Sequence, residues 1–233
     1  MGYVRLLMHE PQQQIKLWTD VFGATPGKAG PFQLFKIPGL VVIVSHSEAD
    51  GAGTEGSAVN HIGIAVKDYP AIKAKLRQAK VAIKEQKSSN RKMVATFPGA
   101  VLVEIIEDKN LSVPVAFHHF HVSGVDPEAE RDWYVKYLAA MSTSRLDMPA
   151  AAFPGGEIDF MKSDVPQAST KGRVLIHIGF EVKNLEAFCK NLKAQGLTFV
   201  VEYRDLDKYG LQVASLMDPA GTSVELMEGL TGK

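Results

Sequence analysis

The sequence predicts an α+β protein built from four βαβββ units. The first observation is an internal repeat: Trp18 matches Tyr134 and His61 matches His177, each pair 116 residues apart. The second is that each half holds two runs in which a strand-like segment precedes an amphipathic helix and further short strands. A repeat of this length indicates two homologous halves, and 233 residues suit two domains of ordinary size.

Helix start and stop signals define the units individually. In the third unit the strand-like FHHFHV is followed by Asp126, a good N-cap, and by Pro127 at the first helical position. In the fourth, HIGFEV leads to Asn184 as N-cap, and Gly196 ends the helix. The second unit has HIGIAV before Asp68, and the first shortens the pattern to YVRLLM and PQQQIKLWTDVFG. All four segments therefore predict a strand followed by a helix.

The repeat places the boundary between the halves near residue 112. Towards the end of the chain the separation grows to 121, because Pro98 matches Pro219 and Glu104 matches Glu225. This implies an insertion of about five residues around RDLDKYG. We therefore predict an N-terminal domain at 1–111 and a C-terminal domain at 112–233.

Composition narrows the classes of function. Lys plus Arg equals Asp plus Glu at 26 each, which argues against nucleic acid or an acidic membrane as a partner. No apolar run approaches the roughly 20 residues that span a bilayer.

The single cysteine, Cys189, lies on the apolar stripe of a helix and is expected to be a buried thiol. A small molecule is the expected partner, a homodimer is compatible with the sequence, and the cytoplasm is the default compartment unless a leader was removed before Met1.

The histidines keep a fixed spacing to the helix starts. His61 lies seven residues before Asp68, and His177 lies seven residues before Asn184. The same offset before the third helix selects His119 from the three neighbouring histidines of FHHFH. His61, His119 and His177 therefore each stand at the head of the first strand of their unit.

Strand alternation assigns the other two histidines of this segment. His121 is expected on the same face as His119, about 6.6 Å further along, and His118 on the opposite face. His118 is therefore interpreted as a surface or edge-strand imidazole. The separation of 116 pairs His119 with Tyr3.

The last strand of each half carries a glutamate six residues after a proline. An ionised carboxylate that faces a core is costly unless it is paired or binds a cation. Two imidazoles and one carboxylate are a ligand set for Fe(II) and similar divalent metals. In the C-terminal half this set is His119, His177 and Glu225. The N-terminal half offers Tyr3, His61 and Glu104, a degenerate site. The alternative is that these are hydrogen-bonded core histidines and solvent-facing glutamates.

The paired βαβββ units, with His at a strand head and P-x-G-x-x-x-E in the last strand (DPAGTSVE), resemble the vicinal oxygen chelate superfamily of glyoxalases, bleomycin resistance proteins and extradiol dioxygenases. FPGAVLVE keeps the same spacing from proline to glutamate. The resemblance implies tandem cupped mixed-sheet domains and one divalent metal, with Fe(II), Mn(II), Zn(II) or Ni(II) all acceptable to these ligands. It also implies a substrate that binds the metal through two neighbouring oxygens. By position it makes His119, His177 and Glu225 the metal ligands. It adds Asp159 as a fourth ligand or general base and His121 as a second candidate for catalysis.

Two functions follow from the resemblance. The first is a metal-dependent dioxygenase, lyase or isomerase that acts on a small molecule with vicinal oxygens. The second is a non-catalytic binding protein of the bleomycin-resistance type. Ser215 stands where the dioxygenase motif has a tyrosine, and the third unit has no glutamate six residues after Pro154, where glyoxalase I has its second glutamate. The sequence therefore leaves the reaction open.

Overall fold

The computed structural model describes residues 2–86 and 91–230, and it contains all four predicted units. Each unit supplies one helix and four strands. The helices are α1 (Pro11–Asp20), α2 (Tyr69–Gln78), α3 (Pro127–Leu138) and α4 (Leu185–Ala194). The strands of the first two units are β1 (Gly2–Met8), β2 (Thr25–Ala29), β3 (Phe32–Ile37), β4 (Leu40–His46), β5 (Val59–Val66), β6 (Ala82–Glu85), β7 (Lys92–Phe97) and β8 (Val101–Glu107). Those of the last two are β9 (Val115–Gly124), β10 (Met141–Arg145), β11 (Met148–Phe153), β12 (Gly156–Lys162), β13 (Leu175–Glu181), β14 (Val201–Leu206), β15 (Leu211–Met217) and β16 (Ser223–Glu228).

The predicted N-caps are confirmed. The side chains of Asp68, Asp126 and Asn184 each accept a hydrogen bond from the backbone N–H three residues later, at 2.9, 3.1 and 3.4 Å. A side-chain oxygen at this position satisfies one of the unpaired donors of the first helical turn. The helix starts, and with them the spacing from the strand-head histidines, are therefore fixed by local chemistry.

The strands form two mixed sheets of eight, which confirms the α+β class. The first sheet has the order β14-β15-β16-β13-β1-β4-β3-β2, and the second has the order β10-β11-β12-β9-β5-β8-β7-β6. Antiparallel pairs of first strands lie at the two centres, β1 with β13 and β5 with β9. The first sheet therefore joins the first and fourth units, and the second sheet joins the second and third.

This pairing corrects the expectation that consecutive units of each half share a sheet. The boundary predicted near residue 112 lies in the short linker 108–114, which joins β8 to β9 within the second sheet. The longer polar linkers 47–58 and 163–174 cross between the sheets, where bridges Ala52↔Arg173 and Ser57↔Ala168 hold them together. The division at 1–111 and 112–233 therefore follows the sequence repeat, while each sheet draws one unit from each half.

The main hydrophobic core lies between the helices and the sheets. Trp18 and Tyr134 are almost fully buried there, as their helix positions predict, and Cys189 is buried as well. A smaller cluster lies on the inner face of the first sheet, meaning the face turned away from the helices, around Tyr3, and Tyr209 packs against it. None of the helices in the two described stretches is long and apolar enough to cross a membrane.

Candidate metal centre

A bulge in β9 brings three histidines to the inner face of the second sheet. The register with β5 shifts between the pairs Gly63↔His119 and Ile64↔Phe117, so His118 is the extra residue. Phe117 and Phe120 consequently both pack into the main core, although they are three residues apart. The prediction that His118 faces away from His119 is wrong, because the bulge interrupts the alternation. The Nδ1 atoms of His118 and His119 lie 3.0 Å apart.

Gly63 makes room for the imidazole of His119. A Cβ added at Gly63 would lie 2.1 Å from His119 Nδ1, well inside van der Waals contact. Gly63 stands between His119 on β9 and Glu104 on β8, since it pairs with both. The absence of a side chain at this point lets two buried polar groups approach each other across the centre of the sheet.

Five polar residues meet on this face. The Nε2 atoms of His61 and His119 are 3.2 Å apart, and Glu104 Oε2 lies 3.8 and 3.6 Å from them. Asp159 Oδ2 lies 3.9 Å from His119 Nε2. The ring nitrogens of His61, His119 and His121 can offer one ligand atom each within 4.8 Å of one another. All five residues are less than a tenth exposed.

The arrangement has an internal twofold relationship. Glu104 pairs with Gly63, two residues after His61. Asp159 pairs with His121, two residues after His119. Each strand-head histidine is therefore matched by a carboxylate from the last strand of its own unit. Asp159 holds in the third unit the place that Glu104 holds in the second, and His121 holds the place of Gly63.

Three buried polar atoms of this cluster make no hydrogen bond. They are Glu104 Oε2, His121 Nε2 and Asp159 Oδ1. A buried polar atom without a partner is costly, and its presence in a native fold calls for an explanation. Ligand atoms bound to one ion at about 2.1 Å lie within about 4 Å of one another, and the measured separations of 3.2 to 3.9 Å meet that limit. The residues therefore fit a divalent metal ion.

Neighbouring side chains orient the cluster. His61 Nδ1 lies 2.9 Å from Asn60 Oδ1, an acceptor, so this nitrogen carries the proton and Nε2 presents a lone pair to the cluster. Lys92 Nζ lies 2.6 Å from Glu104 Oε1. Arg145 donates to Asp159 Oδ2, and its Nη1 lies 3.3 Å from His119 Nδ1. Glu104 thus has one oxygen held by Lys92 and the other directed at the histidines, whereas Asp159 has Oδ2 between Arg145 and His119 and Oδ1 without a hydrogen bond.

Burial and the neighbouring cations Lys92 and Arg145 determine the ionisation states of the carboxylates and histidines in this cluster. Burial alone would raise the pKa of Glu104, but His61 and Lys92 outweigh it and lower the pKa to about 2, so the carboxylate is ionised. Burial lowers the pKa of His119 well below its usual value and that of His121 to about 3. Burial raises the pKa of Asp159 against the opposing effect of Arg145. Neutral imidazoles beside an ionised carboxylate are the protonation states that metal ligation requires.

The first sheet carries the equivalent positions with different residues. Tyr3 Oη donates to Glu225 Oε2 at 3.0 Å, and Arg5 Nη1 lies 3.7 Å from Glu225 Oε1. His177 Nδ1 lies 2.7 Å from Ser223 Oγ. A tyrosine and an arginine replace His119 and His121, and both oxygens of the glutamate already have partners.

The structure therefore corrects the predicted grouping of His119, His177 and Glu225. His119 lies on the second sheet, whereas β13 and β16 place His177 and Glu225 on the first. His61 and Glu104, assigned by sequence to a degenerate site with Tyr3, instead meet His119. The predicted candidates His121 and Asp159 do lie beside His119. The spacing between the strand-head histidines and the N-caps predicted which residues are equivalent in the four units. It could not predict which units share a sheet.

Lys92 and Arg145 were not foreseen from the sequence. Lys92 belongs to the RK pair that begins β7, and Arg145 ends β10, a strand of exposed and polar residues. An alternating strand pattern identifies Lys92 as a neighbour of Glu104 once the β7–β8 pairing is known, but no local signal marks Arg145.

Comparison with known proteins supports the fold. Residues 116–226 match the Glyoxalase/Bleomycin resistance protein/Dioxygenase superfamily. Glyoxalase I from Zea mays superposes with a TM-score of 0.74 at 14% identity, over 98% of this chain and 92% of that one. A presumed dioxygenase from Bacillus subtilis subsp. subtilis str. 168 superposes with a TM-score of 0.72 at 12% identity, over 98% and 84%. No curated protein sequence matches this chain significantly.

Proposed function

We propose that this chain, of which residues 116–226 match the Glyoxalase/Bleomycin resistance protein/Dioxygenase superfamily, is a metal-dependent enzyme of that superfamily whose centre lies on the second sheet. His61, His119 and Glu104 are the ligands, with Asp159 as a displaceable fourth ligand. The observation that carries the proposal is the position of Glu104 Oε2, a buried oxygen without a hydrogen bond, 3.8 and 3.6 Å from the paired Nε2 atoms of His61 and His119.

A divalent ion at this place would act as a Lewis acid on a small molecule that binds it through two neighbouring oxygens. The residues of the chain supply the remaining parts of the reaction. Asp159 Oδ1 is positioned to accept a proton, because it has no hydrogen bond and burial raises the pKa of this carboxyl group. Arg145 holds the other oxygen and fixes the direction of the free one. His121 Nε2 provides a second buried acceptor.

This arrangement favours proton transfer, as in an isomerase or lyase, as the chemistry to test first. Asp159 and His121, the two candidate bases, flank the ligands, and a base within reach of a substrate C–H bond is what proton abstraction needs. The alternative of a non-catalytic binding protein needs no such ligand set. The unpartnered buried carboxylate oxygens therefore count against that alternative.

The proposal is tested by loading the purified protein with Mn(II), Zn(II), Ni(II) or Fe(II) in turn. Small hydroxyketones and hydroxyacids in heavy water are then followed by proton NMR, and oxygen uptake is measured with catechols. Exchange of a carbon-bound proton that requires metal and is lost in His61→Ala supports the isomerase or lyase assignment. Oxygen uptake with the same dependence would instead make the protein a dioxygenase. Metal binding with neither reaction would favour the binding protein.

A further inference from the structure

We propose that a second ligand site, separate from the metal centre, lies in a cleft between the two sheets and binds a small amphipathic anion. The cleft has a volume of about 910 Å³, within the range of small-molecule sites. One wall comes from the end of α1 and from β3, in the first sheet. The other comes from the start of α2 and the linker 108–114, beside the second sheet.

The floor of the cleft is apolar. Phe22, Ile37 and Ile72 come from the two walls, and Val113 and Pro114 come from the linker. Phe22 is nearly fully buried and packs against Trp18, with ring centroids 5.3 Å apart. Val113 and Pro114 keep part of their surface exposed, and this apolar surface gains free energy when a hydrocarbon group covers it.

The rim of the cleft is cationic. The lining includes five basic side chains and two acidic ones: Lys36, Lys67, Lys75, Arg91, Lys109, Asp68 and Glu107. The chain as a whole has equal numbers of basic and acidic residues, so this excess is local. A concave apolar surface with a rim of one charge concentrates ligands of the opposite charge.

Both acidic groups are already engaged. Asp68 accepts the backbone N–H of Ala71 at 2.9 Å, and Glu107 lies 2.7 Å from Arg91 and 4.0 Å from Lys109. Glu107 therefore offsets Arg91 and Lys109, and Lys67 and Lys75 supply positive charge at the rim beyond this cluster. Lys75 is held at the wall by a hydrogen bond from its Nζ to the carbonyl oxygen of Val21, at 3.2 Å.

The ligand class follows from these two features together. A carboxylate or phosphate head would face the lysines, and an apolar body would cover the floor. An anionic head alone would contact only the rim, and an apolar body alone would contact only the floor. Because the walls belong to different sheets, such a ligand would contact both sheets at once, and it would do so whether or not the metal centre is filled.

The test uses octyl phosphate as the probe, with isothermal titration calorimetry of the full chain. Inorganic phosphate lacks the apolar body, and octyltrimethylammonium has the opposite charge. We expect one octyl phosphate to bind per chain, at least about tenfold more tightly than either comparator, and to bind more weakly as salt is raised. Failure of octyl phosphate to bind, or equal affinity for octyltrimethylammonium, would overturn the proposal.

Two pairs of variants locate the site. Lys67→Glu on the rim and Val113→Glu on the floor should each weaken binding by about tenfold. The controls are Lys171→Glu and Val165→Glu, which make the same changes at exposed positions outside the cleft and should stay within twofold of wild type. Circular dichroism checks that each variant is folded. Equal weakening in the controls, or none in Lys67→Glu and Val113→Glu, would place the ligand elsewhere and overturn the proposal.

Discussion

The Nε2 atoms of His61 and His119 lie 3.2 Å apart, although the two residues belong to different halves of the sequence repeat. They meet because β5 and β9 pair at the centre of the second sheet. Each brings a carboxylate from the last strand of its own unit, Glu104 or Asp159. The candidate site is therefore a product of the pairing between units two and three.

Gly63→Ala should weaken metal binding at least about tenfold, because its Cβ would lie 2.1 Å from His119 Nδ1 and would displace the imidazole. Gly179→Ala is a matched control on the first sheet, where the added Cβ would lie 2.2 Å from the ring of Tyr3. Both variants should lose about 1 to 3 kcal/mol of stability from overpacking. Calorimetric titration with Mn(II) should separate them, and equal metal affinity in the two would contradict the position assigned to His119.

Asp159→Asn should lower the rate of any metal-dependent proton exchange by about a hundredfold or more, since a positioned base contributes on that scale. Metal affinity should change less, because His61, His119 and Glu104 remain. Glu157→Gln, two residues earlier on β12, keeps the rate within a few-fold in this account. Steady-state rates and metal content measured on the same samples would decide, and an unchanged rate in Asp159→Asn would remove its role as a base.

Glu130 should make the protein less stable as the pH rises. It is buried on α3 with Oε2 unpartnered, and burial raises its pKa from 4.5 to about 7. Because the folded state holds the proton more tightly, this stabilisation is complete below the unfolded pKa and is lost as the pH rises through about 7. Asp218, whose pKa burial raises to about 6, acts in the same direction.

Urea unfolding between about pH 5 and pH 8 should therefore show the free energy of unfolding falling on the order of 2 kcal/mol further in the wild type than in Glu130→Gln. The buried neutral histidines, which act in the opposite direction, and Asp218 contribute equally to both proteins and cancel in this difference. Glu128→Gln, an exposed position on the same helix, should leave the slope unchanged. A slope that is the same in all three proteins would show that Glu130 is not the titrating group.

Local patterns in the sequence were sufficient to predict the four units. The N-caps Asp68, Asp126 and Asn184 and the strand-head histidines depend on contacts within a few residues, and the structure confirms the caps. The spacing from Pro98 to Glu104 in the last strand likewise identified Glu104 as a buried carboxylate in need of a partner. These features follow from capping and strand alternation, which act at short range.

The grouping of units and the bulge could not be predicted in the same way. The four first strands are equivalent in pattern, so the sequence does not say whether β5 pairs with β1 or with β9. The short linker 108–114 is the one hint, since it favours neighbouring positions for β8 and β9 in one sheet. The side-chain direction of His118 depends on a register shift that no residue type marks.

The most direct test of the account is the metal content of the wild-type protein, His61→Ala and His177→Ala, each purified without an affinity tag and loaded with Mn(II). Mass spectrometry of the metal per chain should give about one ion in the wild type and in His177→Ala, and almost none in His61→Ala. A metal that persists in His61→Ala and is lost in His177→Ala would contradict the account and place the centre on the first sheet.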